Sequence, residues 1–159
     1  MHHTRTVIAR SIAIGAVAGL RSMTAPAAVI LAAEQGWGRR LPRRLSFLRN
    51  NKAVAVATLA AAGEWVADKL PSTPKRTAPV GLVARFTTGA ITAAILCGRD
   101  RKAAVPAALI GGAAAVGAAF LGYQARQGLR RKLGVSDLPI ALAEDAVAIG
   151  AGLLTARAA

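Results

Sequence analysis

The sequence predicts an all-α protein. It reads as a small polytopic transmembrane helix bundle of about five spans, a single integral membrane domain over residues 1–159, with the first helix kinked or broken between Ser22 and Pro26. Three observations predict it. Hydrophobic residues make up 54% of the chain, aromatics only 4%, and there are 16 glycines, a composition unlike that of a water-soluble core. Apolar runs recur at the length of about 20 residues that a hydrocarbon layer of about 30 Å requires. Segments rich in arginine or proline separate those runs.

The first run covers residues 7–33 and is interrupted by Arg10 and Arg21. Pro26 lacks a backbone donor, and the hydroxyls of Ser22 and Thr24 compete for backbone partners, so the helix is expected to kink or break there. Arg5, Arg10, the apolar stretch 11–20 and Ala25-Pro26-Ala27 also resemble a cleavable signal peptide. Arg21 and Pro26 count against cleavage, because a signal's apolar region should reach its cleavage site without a charge. The second run spans 52–70 and ends in the charged stretch from Glu64 to Lys69; the others span 81–98, 103–123 and 138–156. Four or six spans are the alternatives.

Between the first two runs, residues 39–49 interleave Leu41, Leu45, Phe47 and Leu48 with five arginines. That segment either lies flat on anionic headgroups or forms a solvated basic loop. The later connection, 71–79, carries three prolines. Gly15 and Gly19 form a GxxxG, and Gly111, Gly112, Gly117 and Gly122 recur in the fourth run, which points to close helix packing more than to a specific dimer.

A formal net charge of +14, from 21 Lys and Arg against 7 Asp and Glu, suits an anionic partner. The apolar runs select the lipid bilayer with anionic headgroups over nucleic acid. Orientation does not follow from charge, because with five spans the two faces carry ten Lys and Arg each. Such a balance suits either one orientation set by the dense first loop or dual topology and an antiparallel homo-oligomer. Cys97 is the only cysteine, and His2 and His3 lie at the terminus without acidic or thiol neighbours, so no disulfide framework, metal or cofactor is expected. Without HExxH, GxSxG or Walker A patterns, the chain is not expected to be an enzyme.

Charges inside the spans carry the candidate site. An ionised side chain at a helix centre costs about 2.5–3.5 kcal/mol on insertion scales, so each needs a partner or a purpose. Arg21 precedes the suspected break, whose freed amides would resemble the half-helix ends that bind anions in transporters. A proline kink satisfied by neighbouring helices is the plainer reading. Glu64 and Asp68, four apart, share a helix face. Glu144 and Asp145, being adjacent, point about 100° apart, so only one need face the same neighbour. The candidate cluster is therefore Arg21, Ser22, Thr24, Glu64, Asp68, Glu144 and Asp145, with Lys69, Ser72, Thr73, Arg76 and Arg126 at its mouth. If all five runs cross, the acids share a layer about 9 Å from the face that holds the N-terminus, and the cluster opens to that face.

Three strings are distinctive: Gly19-Leu20-Arg21-Ser22-Met23-Thr24-Ala25-Pro26, Ala67-Asp68-Lys69-Leu70-Pro71-Ser72-Thr73-Pro74-Lys75-Arg76, and Leu142-Ala143-Glu144-Asp145-Ala146-Val147-Ala148-Ile149-Gly150. In this order and spacing they resemble an uncharacterised family of small bacterial multi-span membrane proteins, catalogued as a domain of unknown function. The resemblance covers residues 12–154, and it implies membrane location and retention of the first span but no activity. The expected role is a small-solute or ion transporter or channel of the cytoplasmic (inner) membrane. The alternative is a structural or assembly subunit whose charges pair helices.

Overall fold

A computed structural model describes residues 2–37, 43–67, 78–98, 101–134 and 136–159. The described residues form six α-helices: α1 (His2–Leu20), α2 (Thr24–Glu34), α3 (Asn51–Ala67), α4 (Pro79–Cys97), α5 (Arg101–Leu133) and α6 (Asp137–Arg157). A 3-10 turn, Arg43–Leu48, precedes α3, and no strand occurs among the described residues. The protein is thus an all-α bundle. Among the described residues, three helices, α4, α5 from Lys102, and α6, are long and apolar enough to cross a membrane.

Small residues set the centre of the bundle. A Cβ added at Gly15 would lie 2.2 Å from the Gly111 carbonyl oxygen, and one at Gly19 would lie 2.2 Å from that of Ala115. These contacts run in register, so α1 and α5 are parallel and nearly touch backbone to backbone. On its other side Gly111 meets Ala93, while Gly112 meets Phe86, which makes α4 antiparallel to α5. The GxxxG of α1 is therefore spent on contact within the chain. Gly117, by contrast, has no neighbour within 4 Å of an added Cβ.

The first apolar run is broken, as expected, with the break at Arg21–Met23, and it does not cross as one kinked helix. Arg21 lies beside Asp145, Ala28 packs on Gly152, and Trp37 meets Arg157. Along α6 these contacts advance in the same direction as α2, whereas Val17 meets Gly152 and Arg10 donates to the carbonyls of Ala158 and Ala159, so α1 runs the opposite way. The chain reverses at Arg21–Met23, and α1 and α2 form an antiparallel hairpin. Pro26 is no kink: it is the third residue of α2, where amides have no intrahelical partner in any case. With 11 residues, α2 is only about 16 Å long, half a hydrocarbon layer. It closes on Gly36 in the left-handed region (φ 71°), with the Trp37 amide returning to the Ala32 carbonyl in a Schellman arrangement.

Two further expectations change. α5 does not stop at residue 123 but continues through Arg126 to Leu133, about 15 Å more of helix. The hairpin also moves the polar cluster to the end of the bundle opposite the N-terminus.

Burial is partitioned by size and polarity in the sense opposite to a water-soluble protein. Leu59, Val80 and Leu154 are each at least 70% exposed, while the interior holds alanines together with Ser11, Thr92, Arg21, Arg85 and Asp145. Arg21 is the largest fully buried side chain. That pattern is stable where the surroundings are as apolar as leucine and close backbone packing drives association.

Candidate functional site

The reversal at Arg21–Met23 creates two facing helix ends. The last carbonyls of α1 carry the negative end of its dipole and the first amides of α2 carry the positive end of the other. No side chain of the hairpin itself caps α2. Its cap comes from α3, where the Glu64 carboxylate accepts from the Ser22 amide at 2.8 Å and from the Met23 amide at 2.7 Å. Trp65, the next residue, donates its indole N–H to Thr24 Oγ1 at 3.3 Å. At the other helix end, Arg85 of α4 donates from Nε to the Gly19 carbonyl at 3.1 Å and from Nη1 to Gly81 at 3.3 Å.

Arg21 lies between these two caps, 1% exposed. Its Nε stands 2.5 Å from Asp145 Oδ1, a buried ion pair between α1 and α6. The neighbouring Glu144 turns instead toward α5, with Oε2 3.6 Å from Arg126 Nη1. Arg126 also grips Asp137 at the start of α6, Nε to Oδ1 at 2.7 Å and Nη2 to Oδ2. A fork of this kind is a strong charge-assisted contact. The layer containing Arg85 and Asp145 lies about 10 Å inside the ends of α4 and α6, counted at 1.5 Å per residue.

Arg21, Ser22, Thr24, Glu64, Glu144 and Asp145 are thus brought together by α1, α2, α3 and α6, and Arg126 borders them from α5. The amides beside Arg21 are met by the chain's own Glu64 carboxylate. Asp68, Lys69, Ser72, Thr73 and Arg76 lie outside the described residues. Sequence reading missed Arg85 and Asp137. Arg85 was legible by the same signal as Arg21, an arginine within an apolar run. Asp137 gave no signal beyond its place as the first acid of α6. Among the described residues, no group of three or more His, Cys, Asp or Glu is arranged to hold a metal ion.

Fold and site together define a helical bundle with membrane-crossing dimensions whose short hairpin is locked by buried charges. The chain belongs to the family described as Domain of unknown function (DUF4126), whose model matches residues 8–158. No curated protein and no solved structure gives a match.

Proposed function

We propose that the protein is a small-solute or ion transporter or channel of a bacterial cytoplasmic membrane, with the reversal at Arg21–Met23 as its polar site. One observation carries this reading: two antiparallel helix ends meet inside an apolar bundle under charged side chains from three other helices. Interrupted helices at membrane depth are tolerated where they are buried in protein or line a path, and in transporters their ends form the substrate or ion site. Conduction would require the Arg21–Asp145 pair to exchange partners, which a buried pair does only when another charge enters the layer.

The hairpin also supports one orientation. Among the described residues, the end of the bundle that holds the N-terminus carries Arg5, Arg10, Arg49, Lys52, Lys102 and Arg157, and the opposite end carries Arg126, Arg130, Arg131 and Lys132. By the positive-inside rule the N-terminal end is cytoplasmic and the polar layer lies nearer the outer face.

The test is reconstitution into liposomes loaded in turn with protons, alkali cations, halides and small neutral osmolytes. Flux of at least one of these by the wild type, lost in Asp145→Asn at equal reconstitution, supports the reading. Correctly folded wild type that passes none of them, or flux indifferent to Asp145, overturns it.

A second reading is favoured by the completeness of the charge matching: Arg21 meets Asp145, Glu64 meets two amides, and Arg126 meets Asp137 and Glu144. In that reading the charges only fasten the hairpin, and the protein is an assembly subunit. A stoichiometric partner retained after mild solubilisation, without flux, distinguishes it.

A further inference from the structure

α6 packs on α1 and α2 more than on its sequence neighbour α5, so the α5–α6 hairpin is splayed. The wedge holds a cavity of about 250 Å³, walled by Leu20, Gly122, Leu129, Ile140 and Val147 and bordered by Arg126 and Glu144. A second depression of about 400 Å³, lined by Gln127, Arg130, Arg131 and Gly134, sits at the end of α5. Asp137 links the two, gripping Arg126 on one side and standing 3.8 Å from Arg130 on the other.

The balance of charge here is positive: Arg126, Arg130, Arg131 and Lys132 stand against Asp137 and Glu144. α5 has 33 residues and is about 50 Å long, some 20 Å more than the hydrocarbon layer, so its basic last turns stand at headgroup level when its apolar part is in the membrane. The apolar wedge runs from that level toward the membrane interior. Leu129, on its wall, is exposed, so the wedge is open to the surroundings of the bundle.

We propose that this is a binding site for an anionic phospholipid, with the phosphate on Arg130, Arg131 and Gln127 and one acyl chain in the wedge. Arg126, engaged by Asp137 and Glu144, stands at the junction and lends its aliphatic stem to the wall. The cationic mouth selects an anionic over a zwitterionic headgroup. The wedge selects a lipid over a free phosphate ester.

Native mass spectrometry of the detergent-purified protein tests this with phosphatidylglycerol, phosphatidylcholine of the same chains, and glycerol phosphate as a phosphate ester without chains. Phosphatidylglycerol should bind more tightly, and glycerol phosphate should not displace it. Arg130→Gln with Arg131→Gln should weaken phosphatidylglycerol about thirtyfold, the scale of two basic residues near an anionic surface, and weaken phosphatidylcholine, whose choline offsets its phosphate, much less. Ala125→Leu with Ala143→Leu, at two exposed alanines lining the wedge, should weaken both lipids by filling it. Equal binding of the two lipids, indifference to the filled wedge, or displacement by glycerol phosphate would each overturn the proposal. The wild-type comparison needs no variant, so failure of a variant to fold leaves the test intact.

Discussion

Replacing Asp145 by Ala removes the carboxylate that faces Arg21 at 2.5 Å while the guanidinium stays 1% exposed. Breaking a buried ion pair from one side costs about 3–5 kcal/mol, because the remaining charge keeps its desolvation penalty and loses its Coulombic compensation. At about 2–4 °C per kcal/mol for a chain of this size, the melting temperature should fall by roughly 6–20 °C. Removing both charges should cost less than removing one, since an apolar pair of similar volume carries no desolvation penalty. The double variant Arg21→Met with Asp145→Ala should therefore melt above Asp145→Ala alone. Thermal unfolding in detergent, followed by circular dichroism across the four members of the cycle, reads the coupling directly. Additivity within about 0.5 kcal/mol would refute the reasoning, because residues in contact couple more strongly than that.

Glu64→Ala should destabilise the hairpin by about 1–2 kcal/mol, the scale of a lost N-cap acceptor, with Glu64→Gln milder because one acceptor oxygen remains; hydrogen exchange at Ser22 and Met23 reports it. Gly15→Ala should cost about 1–3 kcal/mol by overpacking against the Gly111 backbone, whereas Gly117→Ala, with open space at the added carbon, should leave the melting temperature unchanged. The protein should stay with membranes through high-salt and carbonate washes, since salt screens surface charge but not apolar burial; release by salt alone would reject membrane integration. With Cys97 replaced by Ala, an impermeant maleimide added outside cells should label Arg131→Cys and spare Lys52→Cys, and the reverse pattern would invert the orientation.

The class of this protein was legible in its sequence because hydropathy and composition are local properties. Runs of small and aliphatic residues near bilayer length can become only helices packed through alanine and glycine, and Gly15, Gly19 and Gly111 do meet in that way. A charge in such a run must find a counter-charge or dipole, so Arg21, Glu64, Glu144 and Asp145 could be singled out before their partners were known. The partners could not. Whether Arg21 would meet Glu64 or Asp145 depends on which face of α6 packs against α1, and Gly152 sets that by admitting Val17 and Ala28. That the helix breaks near Ser22 was legible, but the reversal of direction was not, because a three-residue turn followed by Pro26 reads the same in hydropathy as a proline kink. Only tertiary contacts separate the two: Ala28 packs on Gly152, and Glu64, from a helix some 40 residues later, accepts from the Ser22 and Met23 amides of the turn. Local chemistry therefore determined that the chain would be helical, apolar and internally charged. The direction of the second helix, and with it the end of the bundle at which the charges gather, was decided by tertiary contacts, the packing of Ala28 on Gly152 together with the Glu64 carboxylate, because a helix end buried without water must be satisfied by whichever neighbour can reach it.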